Sequence, residues 1–368
     1  MNCMDFAPTE AQRELAGLAR TILTDERTRR RRAAVDAEPT RFDRDLWREL
    51  GAAGLIAAAL PDAVGGGGYD FLEQCSLLVE VGRAVAPVPY LTSVFGAAAL
   101  GYFGTDEQRA RWAARAATGE LVLACALAEE LAESAEQPLT RAAADGDGWR
   151  LTGRKALVPF GLVADAFLVP ASTADGVALF VVAADDPRVT LAAQTVVDGD
   201  QEASLELAGA AGDRVPGGDV AHWLVARATV GLAAYQLGVL ERALELTADY
   251  ARERQQFGKP IGSFQAVSQR LADAYIDVEA VRLTMWEAAW RIAEAQPGAA
   301  PIATAKFWAA DAGHRVAHTA VHVHGGTGID LDGEVHRYFT AAKRTEFALG
   351  GATAQLRRLG AELAATPA

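Results

Sequence analysis

Cysteine is scarce in this chain of 368 residues. Cys3, Cys75 and Cys125 stand far apart, with neither the density of a disulfide framework nor the spacing of a metal cluster, a usage that fits a reducing cytoplasm. Positive charge is also short: 35 Lys and Arg face 48 Asp and Glu, a formal net charge of −13. Nucleic-acid phosphates demand basic surface, so that class of partner is excluded from the reading. The one basic run, Arg27 and Arg29 to Arg32, reads as the solvated end of a helix. No long uncharged apolar run and no signal-peptide pattern occurs, so neither a membrane span nor export is expected. What the chain does have is 51% apolar residues, ample for a core, in a length that calls for two or three domains.

Three textures follow one another. Residues 1–120 read as helices. Thr9 can cap one carrying Leu15, Leu18, Ala19 and Ile22; Leu46, Trp47, Leu50 and Leu55 mark another, and Leu72 to Val85 a third. The glycine run Gly65 to Gly68 invites a phosphate-loop reading, but no Lys-Ser/Thr follows it and no strand leads in. Tight turning of the backbone is the better account. Residues 121–216 hold short β-rich runs: Trp149 to Thr152, Ala166 to Val169, Val177 to Val182, Val189 to Leu191 and Leu205 to Leu207. Asp-Gly pairs separate some of them, and such runs pack as an antiparallel barrel or sandwich. Residues 217–368 return to helix. Apolar residues spaced by three and four run from Val230 to Leu244, from Val267 to Ile292 and from Leu349 to Leu363, with Ile302 to His324 between the last two.

The connection Glu253 to Gln265 organises the whole. Gly258 and Pro260 break a helix there, and Ser263 is the expected N-cap of the next. A donor-rich turn at a helix N-terminus suits a pyrophosphate, with Arg254 forking onto it and Gln256 adding a neutral donor. A loop in which Arg254 merely pairs with Glu253 is the alternative. The glycines in His324-Gly325-Gly326-Thr327-Gly328 either stop a helix or let its backbone approach a ligand. His314, His318 and His322 share one helix face; with no complementary acid or cysteine nearby, a polar face is favoured over a zinc site.

With Val267, Leu271, Ala272 and Asp273 behind it, the Glu253–Gln265 string closely resembles the signature of the acyl-CoA dehydrogenase flavoproteins. The resemblance runs the full length and is specific in the C-terminal third. It implies a mostly α fold with a central β domain: an N-terminal helical domain, a middle β-barrel and a C-terminal four-helix bundle. It also implies FAD as cofactor, held across a subunit interface. Arg254, Gln256 and Phe257 match pyrophosphate-contacting positions, and Gln265 an adenosine-contacting one. His322 occupies the place of a glutamine that contacts FAD, and Gly325 and Gly326 match glycines that touch the flavin cofactor of the adjacent subunit.

The implied reaction is α,β-desaturation of an acyl thioester, on CoA or a carrier protein, in fatty acid or sterol catabolism. A carboxylate takes the α-proton, the β-hydride goes to the flavin, and electron-transfer flavoprotein is the expected acceptor. Here the sequence departs from the pattern. The two slots where members of the family place the base fall on Leu349 and Ala228. The motif lying against the flavin ring falls on Leu157-Val158-Pro159, and a threonine upstream falls on Ala128 although Glu129 survives. Residues that reach a neighbour's FAD are kept, while those serving the chain's own flavin and substrate are largely lost. That combination resembles the divergent actinobacterial members that form heteromeric complexes, as does the segment Gly328 to Tyr338, notably His336 and Tyr338. The catalytic residue is left unassigned. The expectation is a helper subunit paired with a homologous chain, or else a homodimer or tetramer. A flavin oxidase or monooxygenase relative and a structural subunit without nucleotide are the alternatives.

Overall fold

The computed structural model describes residues 4, 6–132 and 134–365; Cys3 lies outside them. The chain divides into two compact units, each described by itself.

One unit comprises Gly17–Gln74 and Pro87–Ala228. Its helical part uses α1 (Glu10–Leu23), α2 (Glu26–Ala37), α3 (Arg44–Ala52), α4 (Phe71–Arg83) and α5 (Tyr90–Phe103), though α1 and α4 also run into the other unit. Then α6 (Asp106–Gln108) passes through a π-helical turn into α7 (Ala114–Ala117). Short acids start the second and third helices: Asp25 accepts from the Arg27 amide and Asp43 from that of Leu46, both at 2.8 Å. Because Asp25 begins α2, the arginine run lies along the body of that helix rather than at a solvated end. Arg31 pairs with Glu49 and Arg32 with Asp36. In the glycine run, Gly65 is left-handed (φ 77°), and a Cβ on Gly66 would stand 1.9 Å from the Leu60 carbonyl oxygen. The run is a tight turn, as its sequence indicates.

The sheet of this unit closes on itself. Its strands are β1 (Leu123–Cys125), β2 (Arg141–Asp145), β3 (Gly148–Val158), β4 (Ala166–Thr173), β5 (Gly176–Ala183), β6 (Val189–Thr195) and β7 (Gln201–Arg214). Pairings β4–β2, β2–β3, β3–β7, β7–β5 and β5–β4 complete a ring, with β1 on the edge of β4 and β6 on that of β7. The expected barrel forms, but β1 and β2 each pair parallel with β4. Leu151, Phe167, Val169, Phe180, Val182, Leu205 and Leu207 fill the interior.

The other unit takes the chain up to Ala16, Cys75–Ala86 and everything from Thr229. Thr9 opens α1 with a reciprocal cap: its hydroxyl accepts from the Gln12 amide at 3.1 Å, and Gln12 Oε1 accepts from the Thr9 amide at 2.7 Å. The long helices are α8 (Val220–Glu253), which begins in the first unit, α9 (Gln265–Ala293) and α10 (Ala299–His324), followed by α11 (Val335–Phe347) and α12 (Ala352–Ala365). Small residues let helices touch: a Cβ on Gly82 would meet the Tyr235 carbonyl at 2.0 Å, and one on Gly238 that of Val79 at 1.9 Å. Buried Gln236 ties three helices together, its Nε2 donating to the carbonyls of Ala309 and Ala342, each at 3.2 Å. By length and composition α8 could cross a bilayer, but 72% of its most apolar window is buried inside the protein. It is a core helix. The apolar row of α12 is not covered by this chain; Leu356 and Leu363 are exposed, as are Tyr275, Ile276 and Leu283 on α9.

Candidate functional site

Helix α8 ends at Glu253, earlier than Gly258, because the next residues form a two-residue hairpin. Gln255 pairs with Pro260 and Gln256 with Lys259 across Phe257 and Gly258, both at positive φ (51° and 77°). The hairpin is folded back onto the helix end. The Ile261 amide donates to the Arg254 carbonyl at 2.8 Å, and a Cβ on Gly262 would come within 3.0 Å of the Ala251 carbonyl. A 3-10 turn, Ile261–Ser263, leads into α9. Ser263 is not the N-cap: its hydroxyl donates to the Pro260 carbonyl at 2.7 Å, and Phe264 takes the cap position with no side-chain cap bond. The first amides of α9, beginning at Gln265, are therefore not satisfied by a side chain, and an anion there would meet both N–H groups and the helix dipole.

Side chains on this connection face outward. Arg254, Gln256 and Gln265 are exposed, and Phe257 is 92% exposed although aromatic. The Arg254 guanidinium makes no ion pair with Glu253 or any other described carboxylate, so the pairing alternative does not hold. Phe257 makes an edge contact with Phe264 (6.2 Å), over which Lys259 lies at 4.5 Å. The exposed phenyl ring and the guanidinium beside it leave this turn open to a ligand with both apolar and anionic parts.

At the far end of α10, Gly325 adopts φ 63°, ψ −137°, and a 3-10 turn runs over Gly325–Gly328. Nothing lies within 4 Å of a Cβ on Gly325 or Gly326, so no packing within the chain demands glycine at 326. Both are exposed, as is His322. Buried His324 stacks on Tyr250, centroids 4.3 Å apart at 22°, and its Nδ1 lies 2.9 Å from the Ala320 carbonyl. Burial holds its pKa below the usual histidine value, against the pull of that hydrogen bond. The stack brings the end of α8 against the end of α10. Sequence reading passed over Tyr250, whose signal is an aromatic one turn before Arg254.

His314 and His318 rings lie 4.4 Å apart, but Lys343 Nζ is 2.9 Å from His314 Nδ1, a cation where a metal would need a free ligand. No group of three or more potential ligands is clustered among the described residues.

Ala228 and Leu349 stand at the two positions that the resemblance implies for a base. Ala228 is buried in α8; Leu349 lies after α11 at φ 53°. Glu241 is held by Arg83 (2.9 Å) and Arg282 (2.7 Å), and Glu346 by Lys343 (2.6 Å). Buried Gln355 donates to the Leu349 carbonyl at 2.9 Å, and fully buried Lys306 to those of Thr345 and Glu346 at 3.1 and 3.2 Å. Burial pushes Lys306 down to about 7.

In the barrel, Glu129 has a structural task. Its Oε1 is 2.6 Å from the fully buried Lys155 Nζ and accepts from the Thr140 hydroxyl (2.7 Å) and amide (3.1 Å), while Oε2 accepts from the Leu139 amide (2.6 Å). Burial pushes its carboxyl up, but the Lys155 charge and these hydrogen bonds outweigh that and hold it below the usual range. At Leu157-Val158-Pro159 the strand ends, Leu157 at φ 51° and half exposed.

Comparison with known proteins places these features in one context. The model of the acyl-CoA dehydrogenase N-terminal domain matches residues 9–120, and that of the C-terminal domain residues 216–364. Acyl-CoA dehydrogenase FadE27 of Mycobacterium tuberculosis is 52% identical over 99% of this chain and 100% of its own length. FadE28 of the same organism is 32% identical over 99% and 100%. Among solved structures, the ChsE4–ChsE5 complex from Mycobacterium tuberculosis superposes with TM-score 0.94 at 52% identity, covering 99% of this chain and 100% of that one. A variant of the Tcur3481–Tcur3483 steroid ACAD superposes with TM-score 0.93 at 42% identity, covering 97% and 99%.

Proposed function

The chain belongs to the acyl-CoA dehydrogenase family, oxidoreductases acting on CH–CH donors, and from that premise we propose that it is the FAD-holding helper subunit of a heteromeric acyl-CoA dehydrogenase. One observation carries the reading: an open, donor-rich cradle coexists with base slots occupied by Leu349 and Ala228. The cradle's chemistry suits a dinucleotide. Arg254 would fork onto the pyrophosphate with Gln256 beside it, and Phe257 would be covered. Gln265, at the uncapped start of α9, would meet the adenosine. Gly325 and Gly326 would admit backbone N–H groups close to the ligand, with His322 on the same helix end. FAD, when bound, supplies the hydride acceptor.

Desaturation needs a carboxylate to take the α-proton in a dry pocket, and a leucine or alanine cannot. The base is therefore assigned to a homologous partner subunit. Loss of a general base costs about 10²–10⁴-fold in rate, which sets how little the chain does alone. The relatives described as a ChsE4–ChsE5 complex and as a steroid ACAD support a hetero-oligomer and an acyl thioester built on a sterol skeleton. Electron-transfer flavoprotein is the assigned acceptor. Cys75 and Cys125, both buried and in no disulfide, support a cytoplasmic setting. The exposed apolar rows of α9 and α12 support a partner of the same fold.

Co-expression with the homologous subunit, followed by light scattering and FAD release, tests this. A hetero-oligomer retaining FAD, and losing it on Arg254→Ala, is expected. A lone 38.8 kDa species with full FAD and turnover overturns it.

A further inference from the structure

The dinucleotide cradle just proposed is built from two chain segments, and neither segment fixes the other through its own ligand-facing residues. The hairpin is anchored to the end of α8 through the Ile261–Arg254 hydrogen bond and the close approach of Gly262 to Ala251, and to the start of α9 through Phe264. The glycine pair follows directly on the end of α10, where the Gly325 amide donates to the Val321 carbonyl. Two rings connect them. Tyr250 stands one turn before Arg254, whose amide donates to the Tyr250 carbonyl at 2.8 Å. His324 immediately precedes Gly325. Their rings lie at 4.3 Å and 22°, a stacked pair.

The His324 ring is fixed on more than one side. Its Nδ1, donating to the Ala320 carbonyl at 2.9 Å, orients the ring over the last turn of α10. Beneath it the chain turns back at Gly328, where a Cβ would stand 3.0 Å from both His324 Cβ and Val321 Cα. Glycine at 328 leaves the space in which His324 is held against Tyr250.

We propose that the Tyr250–His324 stack positions the cofactor cradle, locking the Arg254 hairpin against the Gly325-Gly326 turn so that both are presented to one pyrophosphate. The inference rests on the dinucleotide reading above. Tyr250 and His324 are positioning residues; they act through Arg254 and the glycine backbone. A guanidinium binds a phosphate through two parallel hydrogen bonds, so its hold depends on how the helix end that carries it is oriented.

The test uses the oligomer in which the full chain is purified, stripped of nucleotide and titrated with FAD by fluorescence quenching, with melting temperature and helicity recorded beside it. Tyr250→Ala is expected to weaken FAD binding by tenfold or more with helicity retained. Tyr250→Phe, which keeps the ring, restores it. His324→Phe separates the stack from the Ala320 hydrogen bond and is expected to keep most of the affinity, whereas His324→Ala loses it. If Tyr250→Ala lowers the melting temperature while its folded form binds FAD as tightly as the unaltered protein, the rings are merely structural and the proposal is overturned. If the unaltered protein takes up no FAD, the dinucleotide reading itself fails and this inference with it. The two failures are therefore told apart by the unaltered protein alone.

Discussion

The hairpin after α8 and the barrel segment around Glu129 both carry polar residues expected for a flavoprotein, yet they use them in opposite ways. The side chains of Arg254, Gln256 and Gln265 are turned out to solvent with no side-chain partner among the described residues, and an exposed Phe257 accompanies them. Glu129, by contrast, spends both oxygens on Lys155, Thr140 and Leu139. The Glu129 carboxylate is committed to the fold, whereas the hairpin side chains have donors to spare. The same contrast separates the hairpin from Glu241 and Glu346, which are held in ion pairs with Arg83, Arg282 and Lys343.

The contrast breaks first at Glu129. Removing one member of a buried ion pair typically costs about 3–5 kcal/mol, so Glu129→Gln should unfold at markedly lower denaturant, read by circular dichroism. Replacing both members, Glu129→Leu with Lys155→Met, should recover much of the loss. A Glu129→Gln protein of unchanged stability would mean the carboxylate is available for other work.

Next in size is Arg254→Lys. An ammonium cannot reproduce the fork of a guanidinium, so FAD retention should weaken by about 1.5–3 kcal/mol while stability stays put. Equal FAD content in the variant would remove Arg254 from the cradle.

A pH-dependent effect belongs to Lys306, buried among the helices. Burial lowers its pKa from 10.5 to about 7. Between those values the unfolded chain binds more protons than the folded one, so stability rises with pH through that window and falls back as pH drops through about 7. Lys306→Met should abolish that slope in denaturation curves taken from pH 7 to 10; a slope that survives belongs to another group.

Much of this was legible beforehand because its signals are local. The helix break at Gly258 and Pro260 and the 3–4 spacing along α8 and α9 are short-range patterns. The Ser263 cap failed because its hydroxyl found the Pro260 carbonyl instead, a choice that composition does not encode. Helix α5 escaped notice since it is apolar on nearly every face and so has no period. Strand β2, Arg-Ala-Ala-Ala-Asp, lacks β-branched residues, and only its neighbours β3 and β4 make it a strand. Pairing of Glu129 with Lys155, 26 residues away, and the Tyr250–His324 stack are tertiary facts with no sequence period at all.

The central claim is that this chain holds FAD but has no base of its own. Anaerobic stopped-flow absorbance with a panel of acyl-CoAs, including sterol-derived thioesters, tests it most directly. The chain purified without its partner, reconstituted with FAD, should show no bleaching of the flavin band, and co-assembly with the homologous subunit should restore it. Rapid flavin reduction in the isolated chain would contradict the account, and Glu346 and Glu241 would be the first carboxylates to replace.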